Sequence, residues 1–169
     1  MKKLASVILA CMLLVSFSAA ALADTLVMGS NLSFPPFDMI DDSGAPDGFD
    51  VEIGKLIAEK MGMDFYVEDM AFDGLILALN GGKIDMIIAA MTNTETRLEQ
   101  VSFYDPYYIA SQKVIVAAGY EGIASLDDLL DKTVAVQEGT TGHILCSETL
   151  ECRTRRSSPL RTPPTPCWS

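Results

Sequence analysis

Three features of the 169-residue chain predict an α/β fold with βαβ units and a mostly parallel sheet. Strand-like and helix-like patterns alternate from residue 26 to residue 89, which places helices on the faces of parallel strands. The run Met86-Ile87-Ile88-Ala89-Ala90 is continuously apolar, as in a strand buried on both faces. Residues 50–61 carry Ile53, Leu56, Ile57 and Met61 at helical spacing, giving one apolar stripe to set against a sheet.

The elements follow in order. Residues 26–29 read as a strand. Gly48 permits a tight turn, Asp50 is a candidate cap, and Glu52 lies in the first turn of the 50–61 helix, where a carboxylate favours the dipole. A strand is expected over 64–68 and a helix over 73–80, closed by Asn80-Gly81-Gly82. The strand over 85–89 ends in Thr92-Asn93-Thr94-Glu95-Thr96-Arg97, where Thr94 is a plausible N-cap. Further on, residues 113–118 read as a strand, Ser125-Leu126-Asp127-Asp128 as a capping box before a short helix, and 133–137 as another strand. A helix start follows Gly139.

Ligands on such sheets bind at the carboxyl ends of the strands, where Asn31, Phe34, Ala90 and Thr92 fall. Backbone N–H groups at a helix start, threonine hydroxyls and the Arg97 fork suit a carboxylate. The plain alternative is a capped helix whose Arg97 pairs with a surface acid.

Residues 48–61, GFDVEIGKLIAEKM, closely resemble the signature of the family 3 extracellular solute-binding proteins, the polar amino-acid receptors of ABC importers. The resemblance continues in Ser33-Phe34-Pro35-Pro36-Phe37, Met70-Ala71-Phe72-Asp73-Gly74, Thr92 to Arg97, Phe103-Tyr104-Asp105-Pro106-Tyr107-Tyr108 and the stretch from Val134 to Gly142. It implies a periplasmic-binding-protein-like fold, with a first lobe over residues 24–111 and, over 112–152, a crossover strand and the start of a second lobe. That second lobe is expected to be incomplete, with resemblance ending near Leu150. It further implies that Arg97 takes a ligand carboxylate, with Thr92 supplying N–H and hydroxyl and Ala90, beside Met91, a backbone carbonyl. Phe34 and Phe72 would wall the ligand, although either aromatic serves equally as core. Asn31 would read the ligand side chain, its amide favouring a polar or neutral amino acid over a basic one. Thr140 and Thr141 would bring second-lobe N–H groups to the same carboxylate, a role compatible with capping a helix. The implied function is capture of a free amino acid for an ABC permease by a monomer, impaired here by the lack of a downstream aspartate for the ammonium group.

No cofactor or metal is expected, and no nucleophile–base pair marks an enzyme. A dehydratase-like enzyme or a sensor module of the same fold are the alternatives. Cys146, Cys152 and Cys167 lack metal-ligand spacing, and the single histidine, His143, lies at a helix start.

Residues 1–23 have the form of an export signal: Lys2 and Lys3, an apolar core over 4–15, and Ala21-Leu22-Ala23 before a cleavage point after Ala23. This implies an extracytoplasmic or periplasmic location; a lipid anchor through Cys11 is the weaker variant. Six basic residues stand against all 23 acidic ones in 24–152, a balance that repels nucleic acid and anionic lipid. Residues 153–169 carry four arginines and four prolines without periodicity, and are expected to be disordered, either as an out-of-frame ending or as a basic arm.

Overall fold

Small and apolar residues in β1 (Thr25–Ser30, TLVMGS) let it serve as the central strand, with neighbours on both edges and helices on both faces. The computed structural model describes residues 24–150 and 153–156. β1 pairs in parallel with β4 (Asp64–Asp69) from Thr25↔Asp64 to Ser30↔Asp69, and with β5 (Met86–Ile87) through Met28↔Met86 and Gly29↔Ile87. Asp85 locks that second edge: its N–H donates to the Val27 carbonyl and its side chain accepts from Val27 N at 2.8 Å.

Alternation along β1 divides the core in two. Met28, with no exposed surface, packs with Leu32, Val51, Val67 and Ile88 on one face, beneath α1 (Phe49–Met61). Val27, its neighbour, belongs to the other face, where α2 (Leu75–Asn80) brings Leu75 against Ile84 and Ala89. The parallel sheet and the alternating helices are therefore as the sequence implies.

Local departures have physical causes. Helix α1 starts at Phe49, with Gly48 as its N-cap, and Asp50 does not cap it. Gly48 has φ 119, and a Cβ there would lie 2.4 Å from the Phe37 carbonyl oxygen, so this crossing demands glycine. The buried face of α1 is Val51, Gly54 and Ala58, flanked by Ile53 and Ile57, while Leu56 and Met61 are exposed. Gly54 sets that geometry, because a Cβ there would meet Met28 Sδ at 2.6 Å and the Phe65 ring at 2.7 Å. The helix packs through its smallest residues rather than its largest.

The strand within the apolar run at 86–90 spans only Met86–Ile87; beyond it Ile88 N still donates to the Gly29 carbonyl at 3.3 Å, and Ile88 and Ala89 are buried. Residues 113–118 form no strand: Val114, Ile115 and Val116 are exposed, without the neighbouring strand that an extended apolar segment requires. An unforeseen short antiparallel pair, β2 (Met39–Ile40) with β3 (Pro46–Asp47), closes around an Asp41 turn.

The later part of the chain has its own small core. Leu129 and Cys146 pack with Ile123, Val134, Val136 and Leu150. The expected helix after Ser125 is only a 3-10 turn, Asp127–Leu129, where Asp128 accepts from Ala124 N, Ser125 N and the Ser125 hydroxyl. β6 (Thr133–Val136) pairs in parallel with β7 (Arg153–Arg156), and α4 (Thr141–Ile144) runs on into a π-turn over Leu145–Thr149. The expectation of disorder from residue 153 is thus corrected for Arg153–Arg156. That stretch precedes the first proline of the tail, so its backbone is free to pair. The export signal, Cys11, Cys152, Cys167 and residues 157–169 lie outside the described residues.

Candidate ligand-binding site

The chain turns sharply as it leaves β5, and that turn carries the site. Ala90 has φ 46, a left-handed conformation that costs a non-glycine residue about 1–2 kcal/mol. The Asp50 carboxylate opposes that cost by accepting from Ala90 N at 2.7 Å. Met91 packs against the Leu75 cluster. Thr92 is exposed, and its carbonyl accepts from Arg97 Nη1 at 2.6 Å.

Thr94 caps α3 (Glu95–Leu98) as its position implies, accepting from Arg97 N at 3.4 Å. Arg97 itself is 6% exposed. Its second arm, Nη2, donates to the Gly139 carbonyl at 2.7 Å, and its Cζ lies 5.4 Å from the centre of the Phe72 ring. Burial lowers the guanidinium below its ordinary value. The alternative of a surface ion pair does not hold: the ion pairs among the described residues are Lys55–Glu52 and Lys83–Glu68. The guanidinium is thus held by two carbonyls and one aromatic face, none of which neutralises its charge.

Asn31 follows β1 directly. Its Nδ2 donates to the Met70 carbonyl at 3.1 Å, and its Oδ1 accepts from Gln137 Nε2 at 2.8 Å, linking the two halves of the chain. Phe72 is half-buried between Arg97 and the Leu75 cluster, and so is both core and wall. Phe34 is 53% exposed and stacks on Phe37 at 5.6 Å, which excludes the reading of Phe34 as core. Phe37 in turn meets Phe49 and Tyr108 edge-on.

Thr140 and Thr141 stand at the capped helix start that the sequence implies. Thr140 N donates to the Gln137 carbonyl at 3.4 Å, and its hydroxyl donates to the same carbonyl while accepting from His143 N. Thr141 Oγ1 accepts from Gln112 Nε2 at 2.8 Å. Thr140 therefore acts here as the cap of α4. The partner that this turn offers Arg97 is the Gly139 carbonyl. His143 Nδ1 accepts from Gly139 N, a local brace for the same turn.

A cavity of about 300 Å³ lies between α2 and α4, lined among others by Asp73, Leu77, Asn80, Gln100 and Ile144. Of the nine candidate residues only Arg97 reaches it. Asn31, Phe34 and Thr92 do not line it.

Sequence reasoning missed a buried polar group beneath the site. Asp38 and Asp50 are 1% and 0% exposed; Asp38 accepts from the Ser30 hydroxyl at 2.9 Å and from Phe34 N at 3.1 Å. Burial lifts the Asp38 carboxyl to about 6, with Asp50 adding to the rise and Ser30 opposing it. The ordinary carboxyl value is 3.8, so between about pH 4 and 6 the native chain retains a proton that the unfolded chain releases. Stability from this group is complete below about pH 4 and declines by about 2–3 kcal/mol as pH rises through 6. Asp38→Asn keeps an acceptor for Ser30 and is expected to remove that decline. Urea midpoints of variant and parent at about pH 4.5 and 7.5 check it; an identical pH dependence in both would contradict it.

A helix-flanked parallel sheet thus carries a buried arginine and a capped helix at its strand ends. The family model for bacterial extracellular solute-binding proteins, family 3, matches residues 26–161, and the chain belongs to that family. The match continues past Leu150, where motif resemblance was expected to end. The arginine-binding extracellular protein ArtP of Bacillus subtilis (strain 168) is 42% identical over 115 residues, covering 68% of this chain and 44% of that protein. The lysine/arginine/ornithine-binding periplasmic protein of Escherichia coli (strain K12) is 34% identical over 147 residues, covering 84% and 56%. Holo ArgBP from T. maritima superposes with a TM-score of 0.74 at 42% identity, covering 79% of this chain and 59% of that one. The chain spans about half the length of the curated relatives it matches.

Proposed function

We propose that this chain captures a free amino acid outside the cytoplasmic membrane for an ABC permease, gripping the α-carboxylate with Arg97 and the backbone around Thr92. The observation that carries this reading is the Arg97 guanidinium, buried without a carboxylate partner among the described residues and held by the carbonyls of Thr92 and Gly139. Residues 24–111 form the lobe that supplies Asn31, Phe34, Phe72, Ala90, Met91, Thr92 and Arg97, and residues from 112 onward bring Gln137, Gly139, Thr140 and Thr141. Export through cleavage after Ala23 and action as a monomer without cofactor belong to the same reading.

The amide pair Asn31–Gln137 favours a polar, neutral side chain, because both amides donate and accept without fixed charge. Relatives named for arginine support the second reading, a cationic side chain. Titration of the ¹⁵N-labelled chain with glutamine, arginine and the corresponding amino-acid amides tests both. The free acids are expected to shift the Thr92 and Arg97 amides, whereas the amides, lacking a carboxylate, leave them in place. Equal shifts from acid and amide would overturn the carboxylate grip, and a stronger response to arginine than to glutamine would select the cationic reading.

A further inference from the structure

We infer that Asp50 is a positioning residue for the ligand site: its buried carboxylate holds the Ala90 turn in the shape that presents Thr92 and Arg97 to the ligand. The inference rests on the reading of Arg97 and Thr92 as the carboxylate grip.

Asp50 lies in the first turn of α1, yet it does nothing for that helix's free N–H groups. Its side chain crosses forty residues of sequence to reach Ala90 N at 2.7 Å. Ala90 is the single non-glycine residue with positive φ among the described residues, so the bond falls where the backbone most needs an outside hold. The other carboxylate oxygen, Oδ1, is buried without a hydrogen-bond partner. A fully buried acid costs stability, and a residue selected for packing alone would be apolar. The titratable groups facing it are Asp38, from the segment before β2, and Tyr107, from the segment after α3. Burial raises both Asp50 and Tyr107, so the phenol stays protonated beside the acid. Two residues beyond Ala90 is Thr92, whose carbonyl anchors Arg97. Loosening the turn therefore loosens the guanidinium.

The test compares Asp50→Ala, Asp50→Asn and Val51→Ala in the full chain. Val51 is equally buried, adjacent in sequence and outside the site, and so reports loss of packing alone. Asp50→Ala is expected to speed hydrogen exchange at the Ala90 amide about tenfold or more and to weaken the response of Thr92 to a free amino acid by a similar factor, as loss of one buried bond implies. Asp50→Asn, which still accepts from Ala90 N, is expected to stay within about threefold of the parent on both readouts. Val51→Ala is expected to lower the melting temperature with the ligand response retained.

Unchanged Ala90 exchange in Asp50→Ala, or equal weakening by Val51→Ala, would overturn the proposal. Should Asp50→Ala fail to fold, the Ala90 amide proton shift followed against pH decides instead. It titrates in the parent and not in Asp50→Asn if the bond exists, and is the same in both if it does not. Ala90 exchange is read without ligand. If no amino acid perturbs the parent, the carboxylate reading falls by itself, and the exchange result still decides whether Asp50 holds the turn.

Discussion

Arg97→Met is expected to weaken the response to an amino-acid carboxylate by about 30-fold or more, because truncating one side of a buried charge-assisted pair costs about 2–5 kcal/mol. Methionine fills much of the same volume but offers no donor. The carbonyls of Thr92 and Gly139 lose their partner at the same stroke, each at about 1–3 kcal/mol if it remains buried, so the melting temperature should fall as well. Arg97→Lys separates charge from geometry. Its ammonium is a point charge that cannot span both carbonyls as the fork does, and its affinity is expected to fall between parent and Arg97→Met. Amide-shift titrations with a free amino acid measure the series. An Arg97→Met chain that responds like the parent would remove the guanidinium from the site.

Met28→Ala is expected to have the largest effect on folding. Met28 has no exposed surface, sits in the central strand, and is the residue on which Gly54 of α1 rests. Removing its side chain leaves a void between sheet and helix, at a cost of about 2–5 kcal/mol. In a chain of this size that lowers the melting temperature by roughly 4–20 °C. Met28→Leu conserves volume and should cost less than about 1.5 kcal/mol. Thermal unfolding followed by far-UV circular dichroism distinguishes the two, and equal melting temperatures for Met28→Ala and the parent would mean that this layer does not carry the fold.

The parallel sheet, both helical crossovers and the Thr94 cap were legible because each rests on local signals: alternation, helical period and a capping residue before an apolar turn. The place of Arg97 in the first turn of α3 was legible for the same reason, since Thr94 caps through its N–H. The packing face of α1 was not. Period alone selects the large residues Leu56 and Met61, whereas close approach to the sheet selects Gly54 and Ala58. The 113–118 strand was misread because a run of valine and isoleucine has the propensity for a strand without its partner. Asp50 was taken for a cap because an acid at a helix start fits that role. Its true partner, Ala90, is forty residues away and carries no sequence signal of its left-handed backbone. The Gln137–Asn31 bond spans 106 residues and was equally invisible. The Thr140 cap was legible as a helix start after Gly139, whereas the Gly139 carbonyl that this turn presents to Arg97 was not.

The most direct measurement is a crystal structure of the chain grown with a saturating free amino acid. The carboxylate oxygens are expected within about 3.2 Å of the Arg97 guanidinium nitrogens and Thr92 N, with the Gly139 carbonyl displaced from Nη2. An amino acid bound elsewhere, with both arms of Arg97 still on the carbonyls of Thr92 and Gly139, would contradict the carboxylate grip.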